Sequence, residues 1–161
     1  MTLLALLASL ALLLSYVEML LPAIFVSVPG IKMGLPNVVI VFILYRFGVK
    51  EAAVVSAARI AIVFMLFGAN VTMLWYSLGG AVLSIATMGI LKKIDILSTV
   101  GVSVAGALMH NVGQILVAIW LLHTNEIAYY LIILSITGTI AGIFIGLCGA
   151  FVIKRFSKIK I

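Results

Sequence analysis

The chain has 161 residues, of which 66% are hydrophobic and 9% are charged, and its mean hydropathy is +1.43. Ten basic and four acidic residues cannot cover the surface of a soluble domain of this length, which excludes that class. The sequence contains neither a G-x-x-x-x-G-K-[ST] nor a G-x-G-x-x-G motif, so no phosphate-binding loop is predicted. Because the apolar runs are long enough to lie in lipid, we expect an integral membrane protein.

Six apolar segments predict six transmembrane helices, since a span needs about 20 residues. In chain order they are Leu3–Val17, Pro36–Phe47, Glu51–Phe67, Val71–Leu91, Val100–Leu122 and Ile127–Ile153. The prediction is an all-α integral membrane protein with a single six-helix domain over residues 1–161. The second segment is short for a full span, which indicates a tilted or partly re-entrant helix.

The basic residues predict the orientation in the bilayer. Eight of the ten lie in the connections after spans two and four or in the tail: Arg46, Lys50, Lys92, Lys93, Lys154, Arg155, Lys158 and Lys160. The opposite side has only Lys32. The positive-inside rule therefore predicts a multi-pass protein of the cell membrane with both termini in the cytoplasm. This topogenic explanation makes a nucleic-acid partner unnecessary.

The connection between spans one and two, Glu18–Leu35, is the longest and is largely apolar. A loop in water would be polar, so we expect this one to fold over the mouth of the bundle. It carries Lys32, which we place near the rim of a ligand pocket together with Asn37 at the start of span two.

Arg59 lies near the middle of span three, where a charge costs about 3 kcal/mol on insertion scales. It must therefore face the bundle interior or a polar cavity. One interpretation is an anchor for an anionic ligand group, because guanidinium binds carboxylate or phosphate through two parallel hydrogen bonds. The alternative is a structural arginine that is bonded to backbone carbonyls or to a carboxylate such as Glu18.

Span five carries a polar stripe of His110, Asn111 and Gln114 on an otherwise apolar helix. Facing lipid, this stripe would be penalised, so it is predicted to face inward. It either contacts a ligand or forms hydrogen bonds between helices. Counted along their helices, Arg59 and His110 reach similar depths.

Trp75 and Tyr76 stand at the outer end of span four, where they form either a pocket wall or an interfacial aromatic belt. The full predicted substrate-binding set is Glu18, Lys32, Asn37, Arg59, Trp75, Tyr76, His110, Asn111 and Gln114. No cofactor or metal site is predicted. Cys148 is the only cysteine, and the spacing of His110 and His123 places them about 20 Å apart along one helix, too far to ligate one haem iron.

Small residues mark close helix contacts in spans one and six. Ala8, Ala11 and Ser15 lie on one face of span one, and Ala5 and Ser9 lie on another. Gly138, Gly142 and Gly146 recur every four residues in span six. Such stripes pack helices within a chain or dock a partner subunit, and Ala5, Ala8, Ala11 and Ser15 are the predicted partner-binding residues.

Two motifs carry a family resemblance: Gly34-Leu35-Pro36-Asn37 at the start of span two and His110-Asn111-x-Gly113-Gln114 in span five. With the six-span plan, they resemble the Gx transporter family, which is also labelled heptaprenyl diphosphate synthase component I. That family is similar to the substrate-binding S components of energy-coupling factor transporters. The resemblance implies an outward-facing site capped by the loop after helix one. It also implies a small-residue face on helix one that binds a transmembrane coupling subunit.

Three functions remain in view. The first is a subunit that captures a small anionic or amphipathic vitamin or precursor and relies on coupling and ATPase subunits for energy. The second is a non-catalytic membrane subunit that anchors an isoprenoid, quinone or flavin redox enzyme complex. The third is an autonomous carrier, which the absence of an internal repeat disfavours. Catalysis by this chain is not expected, because Asp95 is its only aspartate and prenyl diphosphate synthases need several carboxylates to hold Mg²⁺.

Overall fold

The structure, a computed structural model, describes residues 2–20, 34–67 and 71–156. These ranges contain six α-helices, one short 3-10 helix and no strand. The helices are α1 (Thr2–Leu20), α2 (Asn37–Arg46), α3 (Val49–Phe67), α4 (Val71–Ile94), α5 (Thr99–Leu122) and α6 (Tyr130–Phe156), and the 3-10 turn Glu126–Tyr129 precedes α6. Their bounds lie within a few residues of the predicted segments, and the all-α fold class is confirmed.

Length and composition divide the helices into two groups. Within the described chain, Val71–Ile94, Thr99–Leu122 and Glu126–Arg155 are long and apolar enough to cross a bilayer. The apolar stretches of α1 and α2, Thr2–Glu18 and Asn37–Arg46, are shorter. These features identify a membrane protein. Six crossings and a cytoplasmic position for both termini stay predictions.

Helix α2 is the centre of the bundle. Its six consecutive residues from 39 to 44 are all buried, so the helix is covered on every side. It packs against α1, α3 and α6, while α3, α4, α5 and α6 follow one another around it. A 10-residue helix is about 15 Å long, which is half of a bilayer core. The prediction of an element too short for a full span therefore agrees with a helix that is enclosed by protein.

The turn before α2 explains the Gly34-Leu35-Pro36-Asn37 motif. Gly34 has a φ of +78°, a conformation that favours glycine. Its carbonyl accepts a hydrogen bond from the Asn37 N–H at 2.8 Å, and Pro36 accepts from the N–H groups of Val39 and Ile40. Proline suits this position because it needs no backbone hydrogen as the helix starts.

The end of α2 depends on a lysine from α4. The N–H groups of Phe47 and Gly48 both donate to the Ile43 carbonyl, at 2.8 and 3.2 Å, so the Gly48 N–H passes over Leu44. The Leu44 carbonyl instead accepts from Lys92 Nζ at 2.6 Å. The same ammonium group lies 5.4 Å from the centroid of the Tyr45 ring. Lys92 thus caps a buried helix end, a role that its place in a basic connection did not reveal.

The glycine stripe of α6 packs within the chain. A Cβ added at Gly142 or Gly146 would come within 2.7 Å of a backbone Cα of α5, and one at Gly149 would come within 3.1 Å of Val41 in α2. These glycines therefore let α6 approach α5 and α2 closely. Of the two uses that the sequence left open for this stripe, the structure shows contact within the chain.

The predicted partner face of α1 needs a correction. Ala11 is fully buried and Ser15 is 7% exposed, and Ala8 packs against the same core cluster. Ser15 also spends its hydroxyl on the Ala11 carbonyl, at 2.9 Å. Small residues on this face bring α1 close to its neighbours, so Ala11 and Ser15 cannot contact a second protein. Ala5 lies on the opposite, exposed face of the helix.

Candidate functional site

Arg59 lies midway along α3 and is half-buried, but its Nε is fully buried. No hydrogen-bond acceptor for this Nε is present among the described residues. A buried donor without a partner costs about 1–3 kcal/mol, and more when it belongs to a charged group. Most buried polar atoms in proteins are satisfied, so this one needs an explanation.

Glu18, near the end of α1, is the carboxylate that interacts with Arg59. It is 8% exposed, and its charge lies close enough to that of Arg59 for the two to attract each other. Glu18 Oε1 also accepts a hydrogen bond from the backbone N–H of Gly34. This carboxylate therefore connects α1, the turn before α2 and α3. The sequence named Glu18 both as a ligand contact and as a structural partner of Arg59, and the described contacts are of the second kind.

His110 of α5 completes the cluster from the other side. Its ring lies over Gly80 of α4, where an added Cβ would meet the ring atoms at 2.8–2.9 Å, and it forms a hydrogen bond with the Gly80 backbone. It is also within electrostatic range of Arg59. The expected equal depth of Arg59 and His110 thus agrees with the structure. Residues from α1, α3, α4 and α5 meet here, a group called the Arg59 cluster below (Glu18, Arg59, Gly80 and His110).

Glycines in the contact between α4 and α5 make this arrangement possible. A Cβ on Gly113 would collide with the backbone of Gly79 and Gly80, so the two helices touch through their main chains at this point. The sequence analysis did not include Gly79 and Gly80 in the site. Their signal was available, because a glycine pair in one helix and Gly113 beside His110 in the next indicate a close crossing.

Asn111 serves the contact between α5 and α6. Its Nδ2 donates to the Leu134 carbonyl at 2.7 Å, and a Cβ at Gly138 would overlap that same Nδ2. Gly138 therefore leaves room for the Asn111 side chain. Of the two roles predicted for this stripe, the structure shows the hydrogen bond between helices for Asn111.

Gln114 and Tyr76 extend the site by one helical turn. Gln114 follows His110 by four residues and Tyr76 precedes Gly80 by four, so on antiparallel neighbours both lie on the side toward the end of α3. Both are half-buried, and Gln114 has no hydrogen-bond partner among the described residues. Together with Arg59 Nε, the Gln114 amide is available to a ligand.

Trp75 and Asn37 take other positions, and Lys32 is outside the described residues. Trp75 is 48% exposed and shares its helix face with Val82, which is 65% exposed, so it faces outward as a belt residue would. Asn37 is half-buried at the start of α2, with its amide beside Gly34. Residues 21–33 of the predicted covering loop also fall outside the described ranges. No group of three His, Cys, Asp or Glu side chains that could hold a metal occurs in the described part of the chain.

The family model described as heptaprenyl diphosphate synthase component I matches residues 7–152. This range includes both sequence motifs and every member of the Arg59 cluster. No curated protein matches the chain, and no solved structure matches it.

Proposed function

The chain belongs to the family described as heptaprenyl diphosphate synthase component I, and from this premise we propose that it is a substrate-binding membrane subunit of an energy-coupling factor type importer. Its substrate would be a small anionic or amphipathic vitamin or precursor. The observation that carries the proposal is the buried Arg59 Nε without an acceptor. A folded membrane protein retains such a group at high cost, and a bound ligand would supply the missing acceptor.

The proposed pocket uses the Arg59 cluster as its floor. Tyr76 and Gln114 lie one turn above it and would contact the body of the ligand, the amide by hydrogen bonding and the ring by stacking. The basic residues of the α2–α3 and α4–α5 connections lie at the opposite end of the bundle. If that end is cytoplasmic, as the positive-inside rule predicts, the pocket opens to the outside.

Energy for uptake would come from other polypeptides, because this sequence has no phosphate-binding loop. The coupling subunit would contact the exposed face of α1. With Ala11 and Ser15 buried, that face consists of Ala5 and Ser9 among large apolar side chains: Leu6, Leu10, Leu13 and Val17. Small residues at one level of such a face allow a partner helix to approach closely.

The test combines purification and uptake. The tagged chain is purified from its native membrane in mild detergent, and its partners are identified by mass spectrometry. We expect a transmembrane coupling protein and ATPases, together with ATP-dependent uptake of the co-purifying small molecule. Arg59→Gln should abolish that uptake, whereas Arg155→Gln, at an exposed position in the last turn of α6, should not. Equal uptake by both variants would contradict the role given to Arg59.

A second candidate follows from the printed name of the family, which describes a component of a synthase. This chain would then be a non-catalytic anchor for an isoprenoid or redox enzyme complex. Its one aspartate, Asp95, lies in the turn after α4, about 22 Å along the helix from Gly80, and could not build a multi-carboxylate metal site with the Arg59 cluster. Co-purification with a soluble synthase or flavoprotein, and without ATPases, would favour this candidate.

A further inference from the structure

The charge balance around Arg59 restricts what can occupy its free edge. Guanidinium carries five N–H donors in a fixed plane and no acceptor. Glu18 supplies one negative charge nearby, but one of its oxygens already accepts from the Gly34 N–H. The Arg59 Nε still lacks an acceptor among the described residues. The cluster therefore has its counter-ion and lacks a hydrogen-bond acceptor.

An anion and an uncharged acceptor would gain different amounts at this edge. An added carboxylate would be attracted by Arg59 and repelled by Glu18, so at similar distances the two Coulomb energies largely cancel. It would also lose its hydration, and nothing would compensate that loss. An amide or ketone oxygen carries no net charge, loses far less hydration and still accepts a charge-assisted hydrogen bond from Nε.

We propose that the ligand presents an uncharged carbonyl-type oxygen to Arg59, and that Glu18 is the residue that selects this group over an anion. The inference rests on the ligand-binding part of the proposed function and narrows its substrate class from anionic or amphipathic to amphipathic with a neutral carbonyl. Glu18 acts here as a specificity-determining residue through Arg59. Without its charge, Arg59 would be an unbalanced cation and would prefer a carboxylate.

The experiment uses acetamide and acetate, two probes of nearly the same shape that differ in charge. Thermal unfolding of the purified protein in detergent is measured with each probe at about 0.1 M, with sodium chloride as the ionic-strength control for acetate. For the native protein we expect acetamide to raise Tm by about 2–5 °C and acetate to raise it by less than half as much. In Glu18→Gln the preference should reverse. Glu126→Gln removes an exposed carboxylate and should behave like the native protein.

A second variant covers the case in which Glu18→Gln does not fold. Arg59→Lys keeps the positive charge but removes Nε and the planar fork, so acetamide should no longer stabilise the protein. The proposal is overturned if acetate stabilises the native protein as much as acetamide, if neither probe changes Tm, or if Arg59→Lys keeps the full acetamide effect. These outcomes are independent of which proteins co-purify, so this inference and the importer proposal can fail separately.

Discussion

Replacing Lys92 tests whether this residue stabilises the end of α2. Lys92→Met removes the ammonium group that donates to the Leu44 carbonyl at 2.6 Å and keeps most of the apolar stem. Leu44 is fully buried, so its carbonyl would be left without the acceptor contact that the Gly48 N–H does not provide. Lys93→Met is the matched control, because Lys93 is the next residue in the same helix and is exposed.

The size of the effect follows from the contacts. A hydrogen bond to a charged group contributes about 1.5–3 kcal/mol, and the cation near a helix C-terminus contributes about 0.3–1 kcal/mol more. These terms overlap, so we expect a loss of about 2–3 kcal/mol in the free energy of unfolding. For a chain of this size that lowers Tm by about 4–12 °C. Lys93→Met should change Tm by no more than about 1–2 °C, because exposed substitutions are usually worth under 0.5 kcal/mol.

Thermal unfolding in detergent, followed by circular dichroism, measures both variants. The comparison is specific because each variant removes one positive charge from the same connection, so the positive-inside rule predicts the same effect of both on orientation. Equal melting temperatures for Lys92→Met and Lys93→Met would show that the contact with Leu44 does not stabilise α2 and would refute this reasoning.

Three further predictions concern packing and topology. Ala11→Leu should overpack the core and lower stability by about 1–3 kcal/mol, whereas Ala5→Leu should keep Tm and weaken binding of a coupling subunit; the reverse pattern in unfolding and pull-down assays would restore the original partner face. Asn111→Ala should lower the free energy of unfolding by about 0.6–1.7 kcal/mol, while loss of ligand affinity at unchanged Tm would return Asn111 to the site. In a Cys148→Ala background, a cysteine at Lys93 should react with membrane-impermeant reagents only from the cytoplasm, and labelling from outside intact cells would reverse the orientation.

The sequence by itself determined the class of protein, the helices and the unusual charge. Runs of apolar residues specify helices in lipid through their own length, so the predicted segments and the six α-helices agree within a few residues. Arg59 stood out for the same local reason, because a charge in the middle of such a run is costly wherever the helix packs. The match of the family model to residues 7–152 confirms the family resemblance that the two motifs carried.

Only the tertiary structure decided which side of each helix is used. A helix that is apolar all round gives no signal of which face is buried, so the burial of Ala11 and Ser15 and the central place of α2 could not be predicted. The roles of Lys92 and Asn111 depend on carbonyl groups 48 and 23 residues away in sequence. Such contacts form because a buried carbonyl accepts from whichever donor the packing brings near, and that is a property of the assembled bundle rather than of any one segment.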